Sequence, residues 1–212
     1  MPISRVIRRV FLVFVPGVTA VLLGLHPPET GSAFDLRGST DRWLIVHVGL
    51  LVMIPLVAMV LWMLLGGIDG RAATVSRVML VPFVAFYAAF ESMVGIGTGV
   101  LINETDALPA VARPGAEALT ERWWEVPMPV PLIATAAILS WVVAVGSAAV
   151  AHARARSPLL VVIGLAAATV FFALGHPGIT GVLGMVGLLI AAAAVAFGPS
   201  ARERGDVGAD TR

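Results

Sequence analysis

The sequence predicts an all-α protein, a bundle of six membrane-spanning helices with both termini in the cytoplasm. Hydrophobic residues make up 58% of the chain and charged residues only 13%, whereas soluble domains carry roughly 25% charged residues. Apolar runs close to the length of about 20 residues that crosses the hydrocarbon core recur six times along the chain. Arginines gather in alternate connections between these runs, as expected when positive loops stay inside. The lipid bilayer is therefore the first expected partner.

Each apolar run predicts one helix. The first run is short unless it includes Val6 and Ile7. Ser157 followed by Pro158 is typical of a helix cap and first turn, and Pro177 opens the sixth helix in the same way. The predicted helices cover residues 6–25, 43–65, 78–102, 130–151, 158–174 and 178–197, and residues 199–212 are predicted to form a disordered, polar, cytoplasmic tail.

The arginines predict the orientation, because short basic loops stay on the cytoplasmic side. Every basic residue is an arginine, and with the amino terminus inside ten of them are cytoplasmic. Trp43 lies at the outer boundary and Trp62 near the inner one, where aromatic belts form. The lysine-free composition, rich in Ala, Val and Gly, indicates a GC-rich bacterial genome, so we expect a multi-pass protein of the bacterial cytoplasmic membrane. The four arginines left outside are Arg37, Arg42, Arg113 and Arg122.

A second interpretation of the amino terminus stays open. Arg5, Arg8 and Arg9 precede an apolar stretch, and the small residues Gly31 to Ala33 follow it. This is also the pattern of a cleavable signal peptide. In that case five helices would remain in the mature protein.

The helices differ in their interior residues. Pro16, Pro55 and Pro82 predict kinks in the first three helices. Glycine stripes on the third and sixth helices predict close helix crossings within the chain, or contacts in a homo-oligomer or hetero-oligomer. A short interfacial helix is expected at 116–124, inside the acidic loop 103–129. The glycines of these stripes are Gly95, Gly99, Gly178, Gly181, Gly184 and Gly187.

Two of the four histidines occur in a repeated motif. The hexapeptide that begins at His26 recurs at His176, and both copies read H-P-x-x-T-G beside an apolar run. Side chains tilt towards the amino terminus of their helix, so His47 leans outward to the level of the other two. The three imidazoles together predict a Zn²⁺ or Cu²⁺ site, or ligands for a haem. The alternative is that histidines beside proline only cap helix ends.

Glu91 is the second candidate site, because an ionisable group near the membrane midplane is costly and marks function. It shares a helical face with Tyr87 and Thr98. The functional interpretation is a proton or cation site, and the structural one is a neutral carboxyl hydrogen-bonded to Tyr87 or to a backbone carbonyl released by a proline. The same tilt rule points Glu91 away from the histidines, so we expect two separate sites. His152 is expected to face solvent or lipid phosphates.

Several function classes lack their motifs. The chain has no cysteine, no phosphate-binding G-x-x-x-x-G-K-[ST] loop and no G-x-S-x-G nucleophile elbow. Its arginines are scattered over loop ends, so nucleic-acid binding is not indicated. No catalytic residue is predicted.

The segments from Trp43 to Val48 and from Phe86 to Gly99, with the paired His-Pro corners, resemble a group of small, uncharacterised multi-pass membrane proteins of actinobacteria. The resemblance covers most of the chain and implies a six-helix membrane protein with no established activity. From the residues we expect non-enzymatic binding of a small ligand, metal or proton near the outer face. The alternatives are a small transporter or channel that uses Glu91, and a structural or assembly subunit.

Overall fold

A computed structural model describes residues 5–28, 31–125, 128–175 and 178–198. These residues are helical almost throughout, and none of them lies in a strand. The second H-P-x-x-T-G motif begins outside the described residues, at His176 and Pro177, and the predicted tail 199–212 also lies outside them. The elements are α1 (Arg5–Gly24), a 3₁₀ helix (Ala33–Ser39), α2 (Thr40–Leu64), α3 (Arg71–Phe90), a π-helical segment (Glu91–Ile96), α4 (Gly97–Ala107), α5 (Arg113–Trp124), α6 (Val130–Arg154), α7 (Leu159–Leu174) and α8 (Ile179–Phe197).

Five stretches are long and apolar enough to cross a membrane. The fifth predicted helix corresponds to α7, whose 16 residues fall just below the usual range of roughly 17–25. The all-helical class and the membrane character are therefore confirmed by length and composition, at the level of five helices. The five stretches are Arg5–Gly24, Ala33–Leu64, Arg71–Ala107, Val130–Arg154 and Ile179–Phe197.

The third predicted helix differs most from expectation. It begins at Arg71 instead of residue 78 and continues through α3, the π-helical segment and α4 to Ala107, 37 residues in all. Hydropathy marks where the apolar run ends, whereas the backbone hydrogen bonds continue into polar residues on both sides. The prediction also missed the π-helical segment, because a wider turn leaves no mark in the apolar pattern.

The long helices pack antiparallel, which gives the bundle two distinct ends. Gly24 at the end of α1 faces Val182 at the start of α8. At the other end, the first turns of α1 and the last turn of α8 line one cleft. We call the end that holds His26 the histidine end and the end that holds Arg5 the arginine end.

Glycines let these helices approach one another inside a single chain. A Cβ on Gly164 of α7 would come within 2.5 Å of the Gly187 carbonyl oxygen on α8, and one on Gly184 would press on Phe172. On the continuous helical stretch Arg71–Ala107, Gly99 lies against Leu44 of α2. Packing within the chain therefore explains these glycines, as small-residue helix contacts do in membranes.

An aromatic layer fills the middle of the bundle. Trp141 of α6 packs between Phe83 and Phe172, with ring centroids 4.9 and 4.6 Å away. Tyr87 joins the layer through both phenylalanines, at 5.6 and 5.7 Å. The cavity among these side chains measures about 10 Å³, which is too small for more than one water molecule.

A polar cap formed by the 3₁₀ helix and α5 covers the histidine end. Arg37 forms ion pairs with Asp106 at 2.8 Å and with Glu117 at 2.7 Å. Glu121 of α5 accepts hydrogen bonds from the Ser32 hydroxyl and, at 3.3 Å, from the Ala33 N–H. The short helix predicted at 116–124 is present as α5 (Arg113–Trp124) and is bonded to the 3₁₀ helix.

Candidate functional site

The site is centred on two histidines from different helices. His26 follows the end of α1, and His47 lies in the second turn of α2. Their Nε2 atoms are 3.3 Å apart, and the residues are only 9% and 3% exposed. The predicted meeting of these two imidazoles is therefore present in the structure, whereas the predicted third histidine, His176, lies outside the described residues.

The other nitrogen of each ring points at a backbone carbonyl. His26 Nδ1 lies 2.6 Å from the Pro27 oxygen, and His47 Nδ1 lies 2.8 Å from the Trp43 oxygen. A carbonyl oxygen can only accept a hydrogen bond, so each Nδ1 carries the proton and donates it. In a neutral imidazole the remaining nitrogen is then an acceptor. Two Nε2 lone pairs consequently face each other across 3.3 Å.

Glu91 lies beside this pair. It is 0% exposed, and its Oε2 atom is 3.9 Å from His47 Nε2. The prediction of two separate sites was therefore wrong. It assumed a regular α-helix, but Glu91 is the first residue of the π-helical segment, where the turn is wider and the direction of the side chains changes.

Gly95 allows the close approach of the two helices. A Cβ at this position would overlap the His47 ring, so only glycine leaves room for the imidazole. In the sequence, Gly95 belongs to a G-x-x-x-G pattern. This pattern predicts a close contact with another helix but does not say which residue Gly95 contacts. The structure shows that the contact is with a candidate site residue.

Trp43 forms one wall of the site and was missed as a functional residue. Its ring packs 4.9 Å from that of His26 and 4.2 Å from that of His47. Its indole N–H donates to the Gly95 carbonyl oxygen at 2.6 Å. Trp124 of the cap lies against its other side at 5.8 Å. The spacing of four residues between Trp43 and His47 could have indicated this role, because such residues share one helix face.

Tyr87 and Thr98 are buried, and both belong to the same helical stretch as Glu91, Arg71–Ala107. Tyr87 belongs to the aromatic layer. Thr98 is buried, and its hydroxyl has no hydrogen-bond partner within the described part of the chain. The polar stripe predicted from the sequence is thus buried, but the residue that it brings to the histidines is Glu91.

His152 occupies the opposite end and differs from expectation. It is buried, and its Nδ1 lies 2.9 Å from the Ser157 hydroxyl in the connection from α6 to α7. The expectation that it faces solvent or lipid was wrong, because the turn folds back over it.

The described residues do not by themselves complete a metal centre. Among them, no group of three or more His, Asp, Glu or Cys side chains has the arrangement of a full ligand set. They supply two converging imidazoles and one carboxylate slightly farther away. The three groups lie together, with His47 Nε2 3.3 Å from His26 Nε2 and 3.9 Å from Glu91 Oε2.

No family model, no curated protein and no solved structure matches the chain. The interpretation of the site therefore rests on its own geometry.

Proposed function

We propose that this chain is a multi-pass protein of the bacterial cytoplasmic membrane that binds one divalent transition-metal ion between His26, His47 and Glu91. In this proposal the chain crosses the membrane six times, with both termini inside and the histidine end outside. The arginine distribution supports the orientation. The resemblance to small actinobacterial membrane proteins supports the origin.

One observation carries the binding proposal, namely the two Nε2 atoms that lie 3.3 Å apart while both Nδ1 atoms point at carbonyl oxygens. Two like lone pairs at this distance repel unless a cation lies between them. Zinc–nitrogen bonds of about 2.0–2.1 Å at a tetrahedral angle place the two nitrogens about 3.3–3.4 Å apart. The separation of 3.3 Å is compatible with two ligands of one Zn²⁺, and Cu²⁺ also accepts imidazole ligands.

The surroundings of the two rings fit the same role. Histidines that bind a metal usually donate their other N–H to a carbonyl or carboxylate, which fixes the tautomer and the ring orientation. Both His26 and His47 donate to backbone carbonyls in this way. Trp43 holds the rings from one side, so little rearrangement is needed on binding.

Glu91 supplies the third ligand in this proposal. Its Oε2 atom is 3.9 Å from His47 Nε2, about 0.5 Å more than two ligands of one tetrahedral ion require. Rotation of the carboxylate closes this gap, and its negative charge offsets part of the ion's charge in a buried site. His176 is the further ligand that the repeated motif predicts.

A haem fits this pair of histidines less well than a bare ion. Two axial imidazoles bind haem iron from opposite faces of the macrocycle, which must lie between them. The separation of 3.3 Å between the two Nε2 atoms leaves no room for a porphyrin.

A proton is the second candidate ligand, on the same observation. One proton shared between the two Nε2 atoms would also remove the repulsion, with Glu91 as the counter-charge 3.9 Å away. Metal content separates the two candidates, because a proton site leaves the purified protein without stoichiometric metal.

Transport through Glu91 needs a further conformational change. Between the site and the arginine end lies the aromatic layer of Phe83, Trp141 and Phe172, with a cavity of only about 10 Å³. The proline-containing helices α1, α2 and α3 would have to move apart to open this layer. Ion flux into vesicles that is lost in Glu91→Gln would favour transport, and a silent Glu91→Gln would favour a structural or assembly subunit.

The test is the metal content of the detergent-purified protein after incubation with Zn²⁺ or Cu²⁺ and removal of the excess. We expect one ion per chain in the wild type and loss of the ion in His26→Ala and His47→Ala. His152→Gln is the matched control, because it changes a buried histidine at the opposite end. Wild-type protein without bound metal, or equal binding in all four proteins, would contradict the proposal.

A further inference from the structure

The arginine end contains a cleft of about 520 Å³ that is separate from the histidine site. It lies between the start of α1, the end of α2, the connection from α6 to α7 and the end of α8. Arg5, Arg8 and Arg9 form its charged side, and Ser157 adds a hydroxyl. None of the described residues that line it is acidic.

The three arginines are not neutralised within the described part of the chain. Arg8 donates to the Met63 carbonyl oxygen at 3.2 Å, and the Arg9 guanidinium lies 5.7 Å from the Phe197 ring centroid. These contacts hold the guanidinium groups at the cleft but use only a few of the five N–H donors that each group carries. The described ion pairs of the chain lie elsewhere, at Arg37 and His47. The cleft therefore presents positive charge and free donors to an anion.

The other wall of the cleft is apolar. Leu12, Leu64, Ile68 and Val195 line it next to the arginines. A free phosphate ion has no group that could contact such a wall. A phospholipid places its phosphate beside arginines and its glycerol and first acyl carbons beside apolar side chains, and basic pockets between transmembrane helices bind lipid head groups in this way.

We propose that this cleft binds the head group of an anionic phospholipid. The phosphate accepts charge-assisted hydrogen bonds from Arg8 and Arg9. The head group of the lipid covers Ser157, and its upper acyl carbons pack on the partly exposed side chains of Ile68 and Val195. This inference does not depend on the metal site.

The test uses the full chain in micelles of an uncharged detergent. Phosphatidylglycerol or phosphatidylcholine is added at matched concentrations, and lipid bound per chain is measured by native mass spectrometry. We expect the wild type to retain phosphatidylglycerol and not phosphatidylcholine. The double variant Arg8→Gln/Arg9→Gln should bind phosphatidylglycerol about tenfold more weakly.

The matched control is the double variant Arg71→Gln/Arg154→Gln, which removes the same charge at the same end but outside this cleft. It should bind phosphatidylglycerol like the wild type. An equal loss in both double variants would overturn the proposal in favour of general attraction between charges. Equal binding of phosphatidylcholine would also overturn it, as would displacement of the lipid by millimolar inorganic phosphate. If the first double variant fails to fold, Arg5→Gln alone should still weaken binding.

Discussion

The imidazoles of His26 and His47 meet with their Nε2 atoms 3.3 Å apart, although the residues are 21 positions apart in the chain. Each ring is fixed by its own Nδ1 hydrogen bond to a nearby carbonyl. The meeting point therefore lies where the residues that follow α1 contact the second turn of α2. An ion held by both rings would stabilise the junction between these two helices.

The first prediction concerns metal and stability. A ligand that binds only the folded state stabilises it by about 2.7 kcal/mol at a hundredfold excess over its Kd. We expect Zn²⁺ to raise the Tm of the wild type, and chelator to reverse the increase. His47→Ala should show no metal-dependent change, whereas His152→Gln should respond like the wild type. A Zn²⁺ response that survives in His47→Ala would place the bound ion elsewhere.

The second prediction concerns the charge of Glu91. Glu91→Gln keeps the size of the side chain and removes its negative charge, so the metal loses an anionic ligand. We expect Zn²⁺ affinity to fall at least about tenfold, the lower end of the range for changes to the groups that support a metal. Competition with a fluorescent chelator measures this change. Unchanged affinity would support the alternative of a neutral, hydrogen-bonded carboxyl.

The third prediction concerns the glycine beside His47. Gly95→Ala places a Cβ into the imidazole ring, and such overpacking costs about 1–3 kcal/mol. We expect lower stability in denaturant titrations and weaker metal binding together. Gly17→Ala is the control, because nothing lies within 4 Å of a Cβ there; alanine is favoured over glycine in a helix by up to about 1 kcal/mol. Equal effects of both substitutions would contradict the proposed contact.

Helical periodicity predicted side-chain contacts only where the helix is regular. The tilt of side chains along a helix predicted that His47 would meet His26, because α2 is regular at that point. The same rule was wrong for Glu91, because the π-helical segment begins there. His152 was misassigned for a different reason: the predicted helix ended at residue 151, whereas α6 continues to Arg154 and places His152 in its last turn, where it is buried. Local periodicity therefore predicted the elements, and tertiary packing determined the site.

The fourth prediction concerns Trp43. Trp43→Phe keeps an aromatic ring beside the histidines but removes the N–H that donates to the buried Gly95 carbonyl oxygen. An acceptor left without its donor costs about 1–3 kcal/mol, and the orientation of His47 should loosen with it. We expect lower stability and weaker Zn²⁺ binding. Trp62→Phe, at a tryptophan that is 55% exposed, should change neither property, and the same loss in both variants would indicate a nonspecific effect.

The last prediction concerns the cap. Trp124 of α5 lies against Trp43, so we expect an ion to reach or leave the histidines faster when α5 moves. Arg37 fastens α5 through Glu117, but the pair is well exposed, and exposed ion pairs contribute about 0–1 kcal/mol. Arg37→Gln should therefore leave metal affinity and Tm nearly unchanged, while the rate at which chelator removes Zn²⁺ rises up to about fivefold. Arg42→Gln removes an equal charge at the same end and should leave the rate unchanged. A rate that does not respond to Arg37→Gln would mean that the ion leaves by a path that α5 does not cover.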